Sequence, residues 1–132
     1  MLASKILPDT CAWIDFFNGN RTPLGECLAQ SLMQHEVMTC GVILYELLQG
    51  VRKSGEEQVV LEALQALPYL ELTRELWIHA GRLSASLRKS GNTLPMSDLV
   101  IAALAMGNGC AVLTVDRHFL EIPGLVVVEL VI

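Results

Sequence analysis

The chain has 132 residues, enough for one hydrophobic core and for a single domain spanning residues 1–132. Hydrophobic residues make up 52% and charged residues 17%, which excludes a disordered composition. No apolar run reaches the ~18 residues that span a bilayer, and a formal charge of −5 argues against an ordinary basic nucleic-acid binder.

The elements alternate along the chain. Residues 4–8 (SKILP) read as a short strand and 10–18 as a helix with Thr10 near its start. "GNRTP" at 19–23 is a break, 24–34 fits a helix, and "EVMTC" at 36–40 is a buried strand. "GVILYELLQGVRKS" at 41–54 is predicted helical because Val42, Leu44, Tyr45, Leu48 and Val51 fall near the helical period. A further helix covers 55–67 and stops at Pro68, and "YLEL" is a possible strand. The longest helix is predicted over 73–90, capped by Thr73, with Leu76, Ala80, Leu83 and Leu87 down one side. After the loop 91–95, "SDLVIAALAMGN" at 97–108 is a strongly apolar helix ending in Gly107-Asn108-Gly109. "CAVLTVD" at 110–116 is a buried strand, "RHFLEIPG" a turn or short helix, and "LVVVELVI" a final strand.

Strands separated by helices predict an α/β fold with a mainly parallel central sheet. Near-continuous apolar strands suit a sheet covered on both faces, and ligands in such folds bind beyond the carboxyl ends of the strands. Asp9 and Asp116 each follow an apolar strand and should project at that edge. Glu46 lies inside "ILYELLQG", and Asp98 in the first turn of the most apolar helix. Taken singly, each has a structural explanation. Asp9 would cap a helix, Asp116 would start a turn, Asp98 would complement a helix dipole, and Glu46 would sit on a wet edge. Taken together, carboxylates converging at one edge would repel, and a divalent cation removes that conflict. Oxygen donors with few His or Cys point to Mg²⁺ or Mn²⁺ rather than Zn²⁺, and the cluster is rich enough for two ions.

The cysteines Cys11, Cys27, Cys40 and Cys110 are scattered in apolar surroundings and read as buried thiols of a reducing compartment. The N-terminus lacks the long apolar stretch of a signal peptide, so a cytoplasmic protein without membrane attachment is expected.

This pattern resembles the PIN-domain family, and within it the VapC-type toxin ribonucleases of toxin–antitoxin pairs. The carriers are "LPDTCAWIDFF" with Asp9, "GVILYELLQGV" with Glu46, "MSDLVIAALA" with Asp98 and "LTVDRHF" with Asp116, and they cover essentially the whole chain. The resemblance implies a three-layer α/β/α sandwich and a Mg²⁺- or Mn²⁺-dependent endoribonuclease acting on structured RNA (tRNA or rRNA). It also implies a cognate antitoxin and a homodimer. By position, Asp9, Glu46, Asp98 and Asp116 match the family's acidic quartet, here taken as both metal ligands and catalytic residues, with Asp9 and Asp98 ranked first and Glu46 last. Thr114 matches a hydroxyl that often hydrogen-bonds water at the metal, and Thr10 a position where a small hydroxyl residue is common. The sequence departs from the pattern at Ser97, where larger or apolar residues are also seen, and in having few basic residues near the quartet.

Positive charge for an RNA backbone is available at Arg117, at Arg52-Lys53, at Arg88-Lys89, and along the long helix at Arg74 and Arg82. The same residues also read as solvated helix faces. His118 is expected to be structural or solvated rather than a phosphate contact, and His35 and His79 have no partners at useful spacing. Trp13, Phe16 and Phe17 either form a groove for an antitoxin helix or belong to the core. Two other functions fit less well. A non-catalytic partner- or nucleotide-binding module lacks a GxGxxG or P-loop. A Mg²⁺-dependent phosphatase or receiver-like domain built on Asp9 has Cys11 where its second acid should be.

Overall fold

Parallel strands need long crossovers, and the helices of this chain provide them. The structure, a computed structural model, describes residues 5–19 and 21–130. Ser4 of the predicted first strand, Asn20 of the predicted break, and Val131-Ile132 of the predicted last strand lie outside the described residues. The first strand, β1 (Lys5–Pro8), leads into α1 (Thr10–Phe17) and α2 (Pro23–Gln34). Next come β2 (Glu36–Val37), β3 (Thr39–Cys40), α3 (Gly41–Gln49), α4 (Glu56–Gln65) and β4 (Tyr69–Leu70). The chain continues through α5 (Arg74–Lys89), α6 (Met96–Gly107), β5 (Ala111–Leu113) and a 3₁₀ turn at Arg117–Glu121.

The fold is α/β with a central parallel sheet. β1 lies between β2 and β5, and both pairings are parallel. Pro8 ends β1 without an N–H to give, so the next rung comes from Asp9, whose N–H donates to Leu113 O at 2.9 Å. The ladder thus carries the chain straight into the first carboxylate.

The single strand predicted over 36–40 is two pieces. Met38 N–H donates to Ile6 O, and Thr39 N–H donates to Pro68 O instead, so the extended run changes partner within one residue. Its second half pairs in parallel with β4. The strand predicted over 110–116 is shorter, ending at Leu113. The predicted last strand is reduced, among the described residues, to one parallel bridge between Val127 and Val112. The helix predicted over 41–54 stops at Gln49, where Gly50 N–H bonds back to Leu47 O and Val51 N–H to Leu48 O.

Helix α5 is capped by Thr73, whose side chain accepts from Leu76 N–H, and it buries Ala80 and Leu87. Helix α6 is buried continuously from Asp98 to Ala105, as expected of a helix apolar on all sides. It packs on α5, on β5 and on the 3₁₀ turn. A Cβ added at Gly107 would stand 2.6 Å from Leu76 Cδ2. The start of α5 therefore lies against the end of α6, and the two helices run antiparallel. Gly109 leaves α6 at φ 68°, a left-handed conformation suited to glycine. The core joins Leu7, Trp13, Leu28, Ile43, Ile101, Leu104, Val112 and Phe119, all fully buried. All four cysteines are free thiols. Among the described residues no helix is long and apolar enough to cross a membrane.

Candidate functional site

Asp9 occupies two roles at once. It terminates β1 and is the N-cap of α1, its Oδ1 accepting from Thr10 N–H at 2.8 Å. Its Oδ2 accepts from Thr114 Oγ1 at 3.0 Å and from the Cys11 thiol at 3.7 Å. Thr114 comes directly after β5, so a hydrogen bond between side chains 105 positions apart locks the ends of two adjacent strands together. Asp9 as a whole residue is only 7% exposed. Burial pushes its pKa above the ordinary carboxylate range. The bonds from Thr10 and Thr114 oppose that shift, and the charges of Asp98 and Glu46 add to it.

Glu46 projects from α3 and accepts from the Thr10 hydroxyl. Two helices that are not consecutive are thereby tied at the site. Asp98 stands at the third position of α6, where an acidic side chain often turns back to the capping N–H. Here the cap is Pro95, which has no N–H, so the carboxylate is released for other contacts. Its Oδ2 lies 2.9 Å from His118 Nδ1. Burial raises its pKa, the His118 bond opposes that, and the charges of Asp116 and Glu46 raise it further.

Asp116 caps the 3₁₀ turn, its Oδ1 accepting from His118 N–H at 2.9 Å, and its own N–H donates to Thr114 Oγ1 at 3.0 Å. The bond to Asp98 and the charge of Asp116 raise the pKa of the exposed His118 ring. The structural explanations for Asp9, Asp98 and Asp116 therefore all hold, and the same three residues also converge. The fourth aspartate, Asp15, is outside this group and accepts from Thr22 Oγ1 at 2.8 Å.

The donor set fits a divalent cation. Single donor atoms of Asp98, Asp116 and His118 all lie within 4.8 Å of one another, and Asp9 and Glu46 are close enough for their charges to act on Asp98 or on each other. Carboxylates held near one another at reduced solvation are what a hard cation relieves. Two contributors were not assigned to the site from sequence. His118 was read as structural or solvated, although it reaches both Asp98 and Asp116. Cys11 was read as an apolar thiol, and burial does keep it protonated, but it touches Asp9 and Thr114.

The basic residues separate by place. Arg117 adjoins Asp116, and Arg88-Lys89 end α5 beside the start of α6, all of them exposed. Arg52 is exposed in the α3–α4 connection. Arg74 lies at the opposite end of α5, toward Gly107. Among the described residues the ion pairs are those of His118, so the Arg and Lys heads are not tied to acids. Trp13 is core, stacked on Phe17 at 5.5 Å and edge-on to Phe16 at 5.7 Å. Phe17, with Ile14, Leu47, Val51 and Val59, lines a groove of about 710 Å³ that also reaches Glu46.

A sequence model of the PIN domain matches residues 6–125. Comparison with curated proteins gives no significant match. Among solved structures, VapBC2 from Rickettsia felis, bound to a promoter DNA fragment, superposes with a TM-score of 0.79 at 20% identity over 94% of this chain and 97% of that one. A toxin–antitoxin complex from Klebsiella pneumoniae gives 0.76 at 22% identity over 96% and 99%. VapBC-5 from Mycobacterium tuberculosis gives 0.68 at 25% identity over 96% of both chains.

Proposed function

Since the chain belongs to the PIN-domain family, we propose that it is a divalent-cation-dependent endoribonuclease, the cytoplasmic toxin of a VapC-type toxin–antitoxin pair. The observation that carries this reading is the convergence of Asp9, Asp98 and Glu46, with Asp9 and Asp98 both raised in pKa by burial and by neighbouring negative charge. A purely structural site would not keep such a conflict, because Asn in place of Asp removes it at little steric cost.

Asp9, Asp98 and Asp116, with Glu46, would hold Mg²⁺ or Mn²⁺. The cation, when bound, supplies positive charge at the scissile phosphate and lowers the pKa of water there. The reaction is hydrolysis of a phosphodiester, in which the oxygen of water joins phosphorus and the bond to the leaving ribose oxygen breaks. Thr114 fixes Asp9 and the Asp116 backbone with one hydroxyl, and Thr10 fixes Glu46. Asp116, half-buried, would complete the ligand set or orient the attacking water. Arg117, Arg88, Lys89 and Arg52 would bind backbone phosphates, which predicts weaker binding as salt rises.

The toxin–antitoxin complexes among the structural neighbours support a cognate antitoxin, and a homodimer is part of the same proposal. The groove beside Glu46 offers apolar surface for that antitoxin, with Ile14 and Val59 about half-exposed in it. Sequencing RNA 5′ ends after induced expression, against an Asp98→Asn control, tests the function. New ends that vanish in the control and in excess EDTA are expected. Cleavage that persists with EDTA removes the cation from the reaction, and identical ends in the control remove the site.

A further inference from the structure

We propose that His118 is itself a ligand in the metal site, completing with Asp98 and Asp116 a mixed oxygen–nitrogen position that selects Mn²⁺ over Mg²⁺. This rests on the cation reading above and deepens it. The starting point is one ring nitrogen facing two acids. Nδ1 of His118 lies 2.9 Å from Asp98 Oδ2 and 3.4 Å from Asp116 Oδ1. A hydrogen on that nitrogen bonds Asp98, with the Asp116 oxygen close beside it. An ion at the same point would meet three donors at once.

The spacing suits that exchange. Neighbouring donors on an octahedral ion with bonds of about 2.1 Å stand about 3.0 Å apart, close to both His118 distances, and the donor atoms of the two acids lie within 4.8 Å of each other. The backbone also prearranges the set. His118 N–H bonds to Asp116 Oδ1, and Asp116 N–H bonds to Thr114, so the turn holds the ring and the acid in one frame. The His118 side chain is 46% exposed, so no core packing forces the ring inward. Its position is set by the two acids it faces.

The nitrogen changes which ion the site prefers. Mg²⁺ is hard, takes oxygen donors and gives up water reluctantly, so it gains little from imidazole. Mn²⁺ shares the octahedral, carboxylate-rich chemistry of Mg²⁺ but, as a first-row transition ion at the weak end of the series, gains more than Mg²⁺ does from a nitrogen donor. Asp9, lacking such a neighbour and bonded by Thr10, Thr114 and Cys11, has no comparable nitrogen.

The test uses the full chain loaded with Mn²⁺ alone and read by pulsed electron paramagnetic resonance, which detects ¹⁴N bound directly to the ion. Direct ¹⁴N coupling is expected in the wild type and should vanish in His118→Gln. Calorimetric titrations with Mn²⁺ and with Mg²⁺ should show the Mn²⁺ preference falling in that variant by at least the roughly tenfold that loss of even an outer partner of a ligand costs. Mn²⁺ binding without ¹⁴N coupling, or coupling that survives His118→Gln and so comes from His35 or His79, overturns the proposal while leaving the cation reading intact. Failure to bind Mn²⁺ at all, or unchanged binding in Asp98→Asn, overturns both.

Discussion

The two halves of the acidic cluster are built differently. In the inner half, both oxygens of Asp9 are engaged by donors of the chain, namely Thr10 N–H, the Thr114 hydroxyl and the Cys11 thiol, and Thr10 also holds Glu46. In the outer half, Asp98 is nearly as buried yet relies on an exposed imidazole for its side-chain hydrogen bond. The inner half is anchored by backbone and short hydroxyls that cost little entropy to fix. The outer half is held by a longer side chain that can exchange its partner. A site that must grip a cation and also admit substrate needs both a fixed corner and a yielding one.

The largest effect expected from breaking that contrast comes from charge. Asp9→Asn and Asp98→Asn should each lower RNA cleavage by on the order of a hundredfold or more. Without cation, Asp98→Asn should not lower the melting temperature, because it removes a poorly solvated carboxylate while the amide oxygen still accepts from His118. Activity lost together with stability in that variant would show that Asp98 holds the fold rather than the chemistry.

Thr114→Val separates the halves more finely. The change is nearly isosteric, but it strands Asp116 N–H and leaves one oxygen of Asp9 with only the weak Cys11 thiol donor. A stability loss of about 1–3 kcal/mol by chemical denaturation is expected, with cleavage reduced in parallel. His118→Gln, at an exposed ring, should lower the denaturation midpoint less than Thr114→Val does, because the Gln amide can still donate to Asp98. Equal losses in the two variants would erase the distinction between an anchored and a yielding half.

The pH response is a weaker effect and runs in one direction. Asp9 and Asp98 have raised pKa values, so the folded state holds more protons than the unfolded chain in the window above the ordinary carboxylate range. Stability is therefore lost as pH rises through their folded values. His118 is also raised, and the stability its charged form provides is lost as pH climbs past its own folded value. All three slopes have the same sign. Thermal melts in EDTA should fall from about pH 4 to about pH 8, and saturating Mn²⁺ should flatten the curve at its upper end. A flat curve without cation would mean that the acids are solvated.

Much of this was legible in the sequence, for local reasons. Thr73 caps α5 as its position demanded, and Gly107-Asn108-Gly109 ends α6 where the apolar period stops. The acids themselves stood out because charge inside apolar text is costly. The missing parts depended on contacts that no local pattern encodes. The change of partner at Met38 divides what reads as one strand, and the choice between Ile6 and Pro68 as acceptor is tertiary. Asp116 was expected directly after its strand, but β5 ends at Leu113, and Thr114 uses its hydroxyl to fill the gap toward Asp9. The partner of His118 lies twenty positions away on another helix. The one local cue was Pro95, a cap without an N–H, which leaves Asp98 free.

The smallest effect is expected at Glu46, although it belongs to the same four acids. It is only partly buried, and its recorded partner is a hydroxyl rather than a backbone group. Water can replace what Thr10 gives it, so Glu46→Gln keeps the hydrogen bond and loses only charge. That charge acts on Asp9 and Asp98, whose pKa values should both relax downward when it is removed. Cation affinity should then change by no more than a few-fold, since the lost attraction is partly offset by easier ionisation of Asp9 and Asp98. Calorimetry with Mn²⁺ on Glu46→Gln measures that balance. A loss as large as that of Asp98→Asn would make Glu46 a direct ligand of the cation.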